Sequence, residues 1–297
     1  MFVITFKKIF IGISVVLVAA AIGSIVFFGL KPGIDFTGGS SLELAYAVNR
    51  PEATVIKEAL TNTGFGDALV QPLGTNGVVI KTRTLSEAER ALVVSTASFE
   101  GKYQVEQKSF TTIGPSVGNE LKRKAIASII LVLLAIILFV AYAFRKVSHP
   151  VSSWKYGTVV ILALIHDIII PTGVFAALGH FFGFEVDTLF IVALLTTLGL
   201  SVADTIVVFD RIRENLTHDA KRPFADLVGQ SLSQTFGRSL NTSFVVLVMV
   251  LALVFFGPES TRIFSIVLAI GMFFGTYSSI FLASPLLVVI EKLQKRH

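Results

Sequence analysis

Apolar residues in this chain gather into long runs parted by short polar stretches, except in one region. Runs at 9–30, 126–144, 156–178, 188–209, 239–256 and 263–290 are each about 18 residues or longer, enough for a helix to cross a bilayer. The last run contains Ser284 and Pro285, where a break in the helix is expected. The exception is 31–122. There GIDFTGGS at 33–40 is rich in turn residues, and 41–46 alternates apolar and polar positions as a strand does. After Pro51, the residues Val55, Ile56, Ala59 and Leu60 share one face of a predicted helix. Segments 67–72 and 77–83 read as strands joined by a turn between Gly74 and Gly77. A second amphipathic helix covers 85–99, with Ser86 and Glu89 at capping-box spacing, and 103–112 alternates again. The order β-α-β-β-α-β is the ferredoxin-like split pattern. The pattern therefore predicts a polytopic α-helical membrane protein. Residues 1–30 hold its cytoplasmic start and first transmembrane helix. Residues 31–122 form a small extracytoplasmic α+β ferredoxin-like domain, and 123–297 hold the other five of six helices with basic loops and tail.

Composition agrees. The 297 residues are 53% hydrophobic and 15% charged, against roughly 25% charged in soluble domains, and mean hydropathy is +0.78. The first run imitates a secretory signal, but signal cores are only about 7–15 residues long. Ala19, Ala20 and Ala21 lie inside the run rather than at its end, so an uncleaved helix is expected. Lys7 and Lys8, Arg145 and Lys146, the segment 210–238 and the tail are basic, which places both termini in the cytoplasm. The domain and the loop holding Glu185 and Asp187 then lie outside. Lys122, Arg123 and Lys124 run against this rule, which large translocated domains largely escape. The net charge of +5 does not imply nucleic acid, because the basic residues cluster at the ends of apolar runs. There is no cysteine, no zinc-type His/Glu spacing and no nucleophile elbow, so neither an enzyme nor a metal site is expected. The glycines at 33–40 lack the lysine of a phosphate loop and lead into a strand.

The candidate chemistry sits inside the apolar runs. In LGLSVADTIVVFDRIREN at 198–215, Asp204 lies about 9 Å inside the apparent water boundary at ~1.5 Å per helical residue. A charged aspartate at bilayer depth costs about 2.5–3.5 kcal/mol on the lenient insertion scale. A partner charge, a water-filled cavity or a bound proton must offset that. Asp204 is thus either a proton-relay residue or half of an ion pair that fixes helix packing. His166 and Asp167, midway along the third run, are a relay pair or a polar pair bonding neighbouring helices. Arg238 either snorkels to the interface from the fifth run or reaches Asp204 from an adjacent helix. Asp210, Arg211, Arg213 and Glu214 read as a solvated helix end. Gly271 and Gly275 fit a small-xxx-small packing stripe, as Gly199 and Ser201 do more weakly.

Together these features resemble the SecF family, the smaller subunit of the bacterial SecD–SecF protein-export complex, within the resistance-nodulation-division superfamily. Gly33, Asp35, Phe36, Gly38 and Gly39 match the family signature after the first helix. ADTIVVFDRIREN at 203–215, with Asp204, Thr205, Asp210, Arg211, Arg213 and Asn215, matches a specific fourth-helix motif. His166–Asp167 and SLSQTFGRSLNT at 231–242 match as well. The resemblance implies a non-enzymatic subunit of the bacterial cytoplasmic membrane that assists protein translocation with the proton motive force. It needs no cofactor, the proton being the coupling ion. Asp204 and Arg238 are then implicated in the proton path, with His166 and Asp167 beside them. The implied partners are a SecD-like subunit that adds an aspartate, the SecY–SecE–SecG channel, YidC and YajC, a translocating preprotein and membrane lipid, and no nucleic acid. Two other readings stay open: a small-molecule or lipid exporter of the same superfamily, and a non-transporting translocon scaffold.

Overall fold

The computed structural model describes residues 2–144, 153–219 and 221–294. Arg145, Lys146 and the tail residues Lys295, Arg296 and His297, used above for topology, lie outside them. In chain order the elements are α1 (Phe2–Thr5), α2 (Lys7–Phe28), α3 (Ile34–Thr37), β1 (Gly39–Tyr46), α4 (Ala53–Asn62) and β2 (Leu69–Leu73). Then come β3 (Gly77–Thr82), α5 (Glu87–Ala97), β4 (Val105–Ile113), α6 (Pro115–Ala143), α7 (Ser153–Phe182) and α8 (Thr188–His218). Finally α9 (Phe224–Phe256) and α10 (Glu259–Tyr277) lead through a π segment, Ser278–Ala283, into α11 (Ser284–Gln294). Among the described residues, six helical spans are long and apolar enough to cross a membrane.

Three boundaries differ from the hydropathy reading. The polar segment 210–238 is almost wholly helical, because Arg, Glu and Gln are good helix formers whatever their hydropathy. α8 runs on to His218, and α9 begins at Phe224. α6 starts at Pro115 and so includes Lys122–Lys124; proline suits a first helical position, where its missing N–H has no partner to lose. The last span does not break at Ser284–Pro285 but loosens into π geometry just before it. Pro285 has no N–H to give the carbonyl of Phe281 and its ring crowds that carbonyl. The wider turn relieves both, and Ser284 Oγ donates to Ser279 O at 3.3 Å.

The chain forms two compact units. The first takes in Lys31–Ile126 and Glu185–Thr188. Its antiparallel sheet has the order β2-β3-β1-β4, with Leu42 opposite Ile80 and Leu44 opposite Val78. Alternation along β1 turns Leu42, Leu44 and Tyr46 onto Ile56 and Leu60 of α4 and Val93 and Ala97 of α5, all buried. The predicted capping box is formed, with Ser86 N donating to Glu89 Oε2 at 2.8 Å and Glu89 N to Ser86 Oγ at 3.3 Å.

The second unit is the helical one. Phe144 stacks on Tyr156 at 5.3 Å, and Phe209 of α8 meets both edge-on. α1 packs Val3 and Ile4 into this core, which hydropathy did not foresee. α2 crosses α7 so closely that a Cβ on Gly173 would lie 2.5 Å from Ala21 Cα, and Ser24 Oγ donates to Gly173 O at 2.6 Å.

Candidate functional site

His166 and Asp167 are both buried near the middle of α7. His166 Nδ1 lies 2.9 Å from Asp167 Oδ1. The other carboxylate oxygen, Oδ2, accepts from Ser201 Oγ of α8 and, at 2.9 Å, from Ser278 Oγ of the π segment. Asp167 therefore ties three elements together, which a buried carboxylate must do to avoid a large desolvation cost. The network continues from Ser279 Oγ to Thr205 Oγ1 at 3.0 Å and to Ser201 O at 3.3 Å. On its other side the His166 ring stacks on Tyr277, whose hydroxyl reaches Phe10 O at 3.3 Å. His166 Nε2 is buried, with no hydrogen-bond partner among the described residues.

Asp204, one turn further along α8, lies in different surroundings. It is half-buried and lines a cavity of ≈ 220 Å³ with Ser201, Arg238, Ser239, Thr242 and Ser243. Ser243 Oγ of α9 donates to Asp204 Oδ2 at 3.1 Å. The buried Ser239 lines the same cavity. Arg238 is exposed and shares the cavity; among the described residues no ion pair joins it to Asp204. Ser201 is the link between the two places, since its hydroxyl donates to Asp167 and it also lines the cavity of Asp204.

The structure brings Asp204, Arg238, His166 and Asp167 into this one neighbourhood. Thr205 joins it through Ser279. Asp210, Arg211, Arg213 and Asn215 do not. Arg211 and Asn215 reach α9 instead, with Arg211 Nε donating to Gln234 Oε1 at 2.7 Å and Asn215 Nδ2 to Ser231 Oγ at 2.7 Å. Arg213 pairs with Asp210 at 2.5 Å. This end of α8 is a cross-helix brace rather than merely a solvated end. Gly33, Asp35, Phe36, Gly38 and Gly39 form a separate cluster within the sheet-containing unit. Ser243, Ser278 and Ser279 were not singled out from the sequence, and Ser201 only as part of a packing stripe, not as a partner of a carboxylate. Serine is ordinary in membrane helices, and only the helix crossing selects which ones meet a carboxylate.

Fold and site define a multi-pass membrane protein with an α+β domain inserted after its first span and acidic residues within its apolar helices. The family of protein export membrane proteins SecD/SecF, C-terminal, matches residues 93–293, and the SecD/SecF GG motif matches 23–47. The chain belongs to the SecF family of protein-export membrane proteins. It is 40% identical to the protein translocase subunit SecF of Thermobaculum terrenum, over 97% of this chain and 93% of that one. It is 37% identical to that of Anaerolinea thermophila, over 98% and 94%. Its fold is similar to the crystal structure of SecDF, a translocon-associated membrane protein, from Thermus thermophilus. That match has a TM-score of 0.85 and 34% identity over 97% of this chain. A second structure, SecDF in a super-membrane-facing form, gives a TM-score of 0.69 and 32% identity over 98%. The chain spans 38% of each SecDF chain.

Proposed function

We propose that this subunit works as the SecF half of a SecD–SecF pair, using the proton motive force to aid protein export, with Asp204 as the proton-binding group. The single observation that carries this reading is the setting of Asp204. It is a carboxylate within an apolar helix, in a hydroxyl-lined cavity, facing Arg238 without a closed ion pair. Burial favours the protonated acid and a nearby cation favours the carboxylate, so a change in the Asp204–Arg238 separation loads and releases a proton. The membrane potential supplies ~2.3 kcal/mol per charge per 100 mV, enough for one proton to bias a rearrangement.

His166 and Asp167 communicate with that cavity through Ser201. A SecD-like chain completes the site, a reading supported by the SecDF structures, in which this chain's counterpart is part of a longer protein. Both termini are cytoplasmic and the ferredoxin-like domain is extracytoplasmic. The SecY–SecE–SecG channel, YidC, YajC and the preprotein are the proposed partners.

The test is export rate in vesicles bearing the complete translocon, for wild type, Asp204→Asn and Arg238→Met, each with and without an uncoupler. Both variants are expected to lose the uncoupler-sensitive part and keep the ATP-driven part. Undiminished, uncoupler-sensitive export by Asp204→Asn would leave this residue a packing element and favour a scaffold.

A further inference from the structure

The GIDFTGG signature takes no part in the network around Asp204, yet its own contacts are specific. Pro32 pairs with Val186 in a parallel β-bridge, closed by Gly33 N to Val186 O at 2.8 Å and Val186 N to Lys31 O at 2.7 Å. Asp35 Oδ2 accepts from the backbone N–H of Thr188 at 2.8 Å. Thr188 is the first residue of α8, so Asp35 caps that helix from a distant part of the chain. Next to it, Lys81 of β3 pairs with Glu185 at 2.8 Å, with side chains only 23% and 14% exposed. Glycine makes the approach possible. A Cβ on Gly38 would lie 2.9 Å from Pro115 Cα, and one on Gly118 would lie 2.9 Å from Gly38 N. All of these residues belong to one compact unit.

We infer that the signature, the 185–188 loop and the first turn of α6 form a clasp that stays closed through the working cycle and holds Thr188, the residue that opens α8. Asp35 is its positioning residue. The fastenings differ in kind — main-chain bridge, helix cap, shielded ion pair and glycine contact — so that loss of any one leaves the others in place. Thr188 opens α8, whose sequence to His218 contains no proline.

The absence of cysteine makes the test direct. Bridged strands lie about 4.8 Å apart, within the Cα range of roughly 4.4–6.8 Å that disulfides accept. The pair Pro32→Cys with Val186→Cys is therefore expected to oxidise nearly completely in vesicles holding the whole translocon and the SecD-like partner. Export by the oxidised pair is expected to equal that of the reduced pair and of each single-cysteine variant. Failure to cross-link, or cross-linking that stops export until reductant is added, overturns the closed clasp. Amide hydrogen exchange gives a second readout. Asp35→Ala is expected to speed exchange at Thr188 about tenfold, as loss of a helix cap implies, and Asp35→Asn, which keeps an acceptor oxygen, much less. Exchange at Val186 and Thr188 that rises when wild-type vesicles are energised would also overturn the clasp. Asp204→Asn in the same vesicles tests the proton reading alone. Should that variant keep uncoupler-sensitive export, the functional reading falls while cross-link and exchange still decide the clasp.

Discussion

Asp204 and Asp167 show how two carboxylates in neighbouring helices are made tolerable by different means. Asp167 is wholly buried and receives two serine hydroxyls and a histidine, so its hydrogen-bonding capacity is met by protein. Asp204 accepts from Ser243 and opens onto a cavity that water can enter. Hydrogen bonds to charged groups contribute about 1.5–3 kcal/mol, so Ser201→Ala is expected to destabilise the helical unit by about that much in detergent unfolding. Ser243→Ala is expected to cost clearly less, because water from the cavity replaces the lost hydroxyl. Equal losses would mean that the cavity is dry.

Two groups in the sheet-containing unit predict pH dependence of opposite sign. Burial pushes Tyr46, which donates to Ala97 O at 2.9 Å, from 10.0 to about 12. The neutral form is the folded one, so its contribution is full below pH 10 and is lost as pH rises toward 12. Tyr46→Phe is expected to flatten that alkaline loss in unfolding measured against pH. Glu89 is held at about 2, chiefly by its bond from Arg83 and then by Ser86. Its contribution is present above pH 4.5 and lost as pH falls toward 2, and Glu89→Gln is expected to remove that acid dependence.

Among elements, close helix crossings sit at particular glycines. Gly173 meets Ala21, while Gly271 and Gly275 of α10 meet the side chains of Thr197 and Ser201 on α8. Gly173→Ala forces α2 away from α7 and is expected to destabilise by about 1–3 kcal/mol. Gly12 and Gly23 have nothing within 4 Å of an added Cβ, so alanine there is expected to be neutral or to stabilise by up to about 1 kcal/mol. Thermal unfolding of the three variants separates a packing glycine from a permissive one. The Gly271/Gly275 stripe was legible because its spacing of four marks one helix face. Gly173 was not, since a lone glycine two residues after Pro171 carries no period. The polar ends of α8 and α9 escaped for a related reason. Hydropathy measures affinity for lipid, whereas those turns are held by contacts such as Arg211 with Gln234.

At the scale of the whole molecule, much apolar surface remains uncovered on the spans. Val26 and Phe27 of α2, Leu131 and Leu138 of α6, and Phe244, Met249 and Phe256 of α9 are all exposed. In a bilayer such faces meet lipid or another membrane helix, and Asp204 opens toward a cavity lined partly by exposed residues of α8 and α9. Vesicles carrying this chain without a SecD-like partner are therefore expected to show no gradient-dependent export stimulation, and adding the partner to restore it. Stimulation by the chain alone would mean that its site is complete. The sequence alone determined the six spans, the βαββαβ domain and the identity of the anomalous acids. Each of these follows from periodicity or from the cost of one residue in its own segment, which are local quantities. Only the tertiary structure decided that Asp167 is bound by Ser201 and Ser278, that Arg238 shares the cavity of Asp204 without pairing, and that Asp35 caps α8. Those pairings depend on which helix faces meet and at what height, and no single segment carries that information.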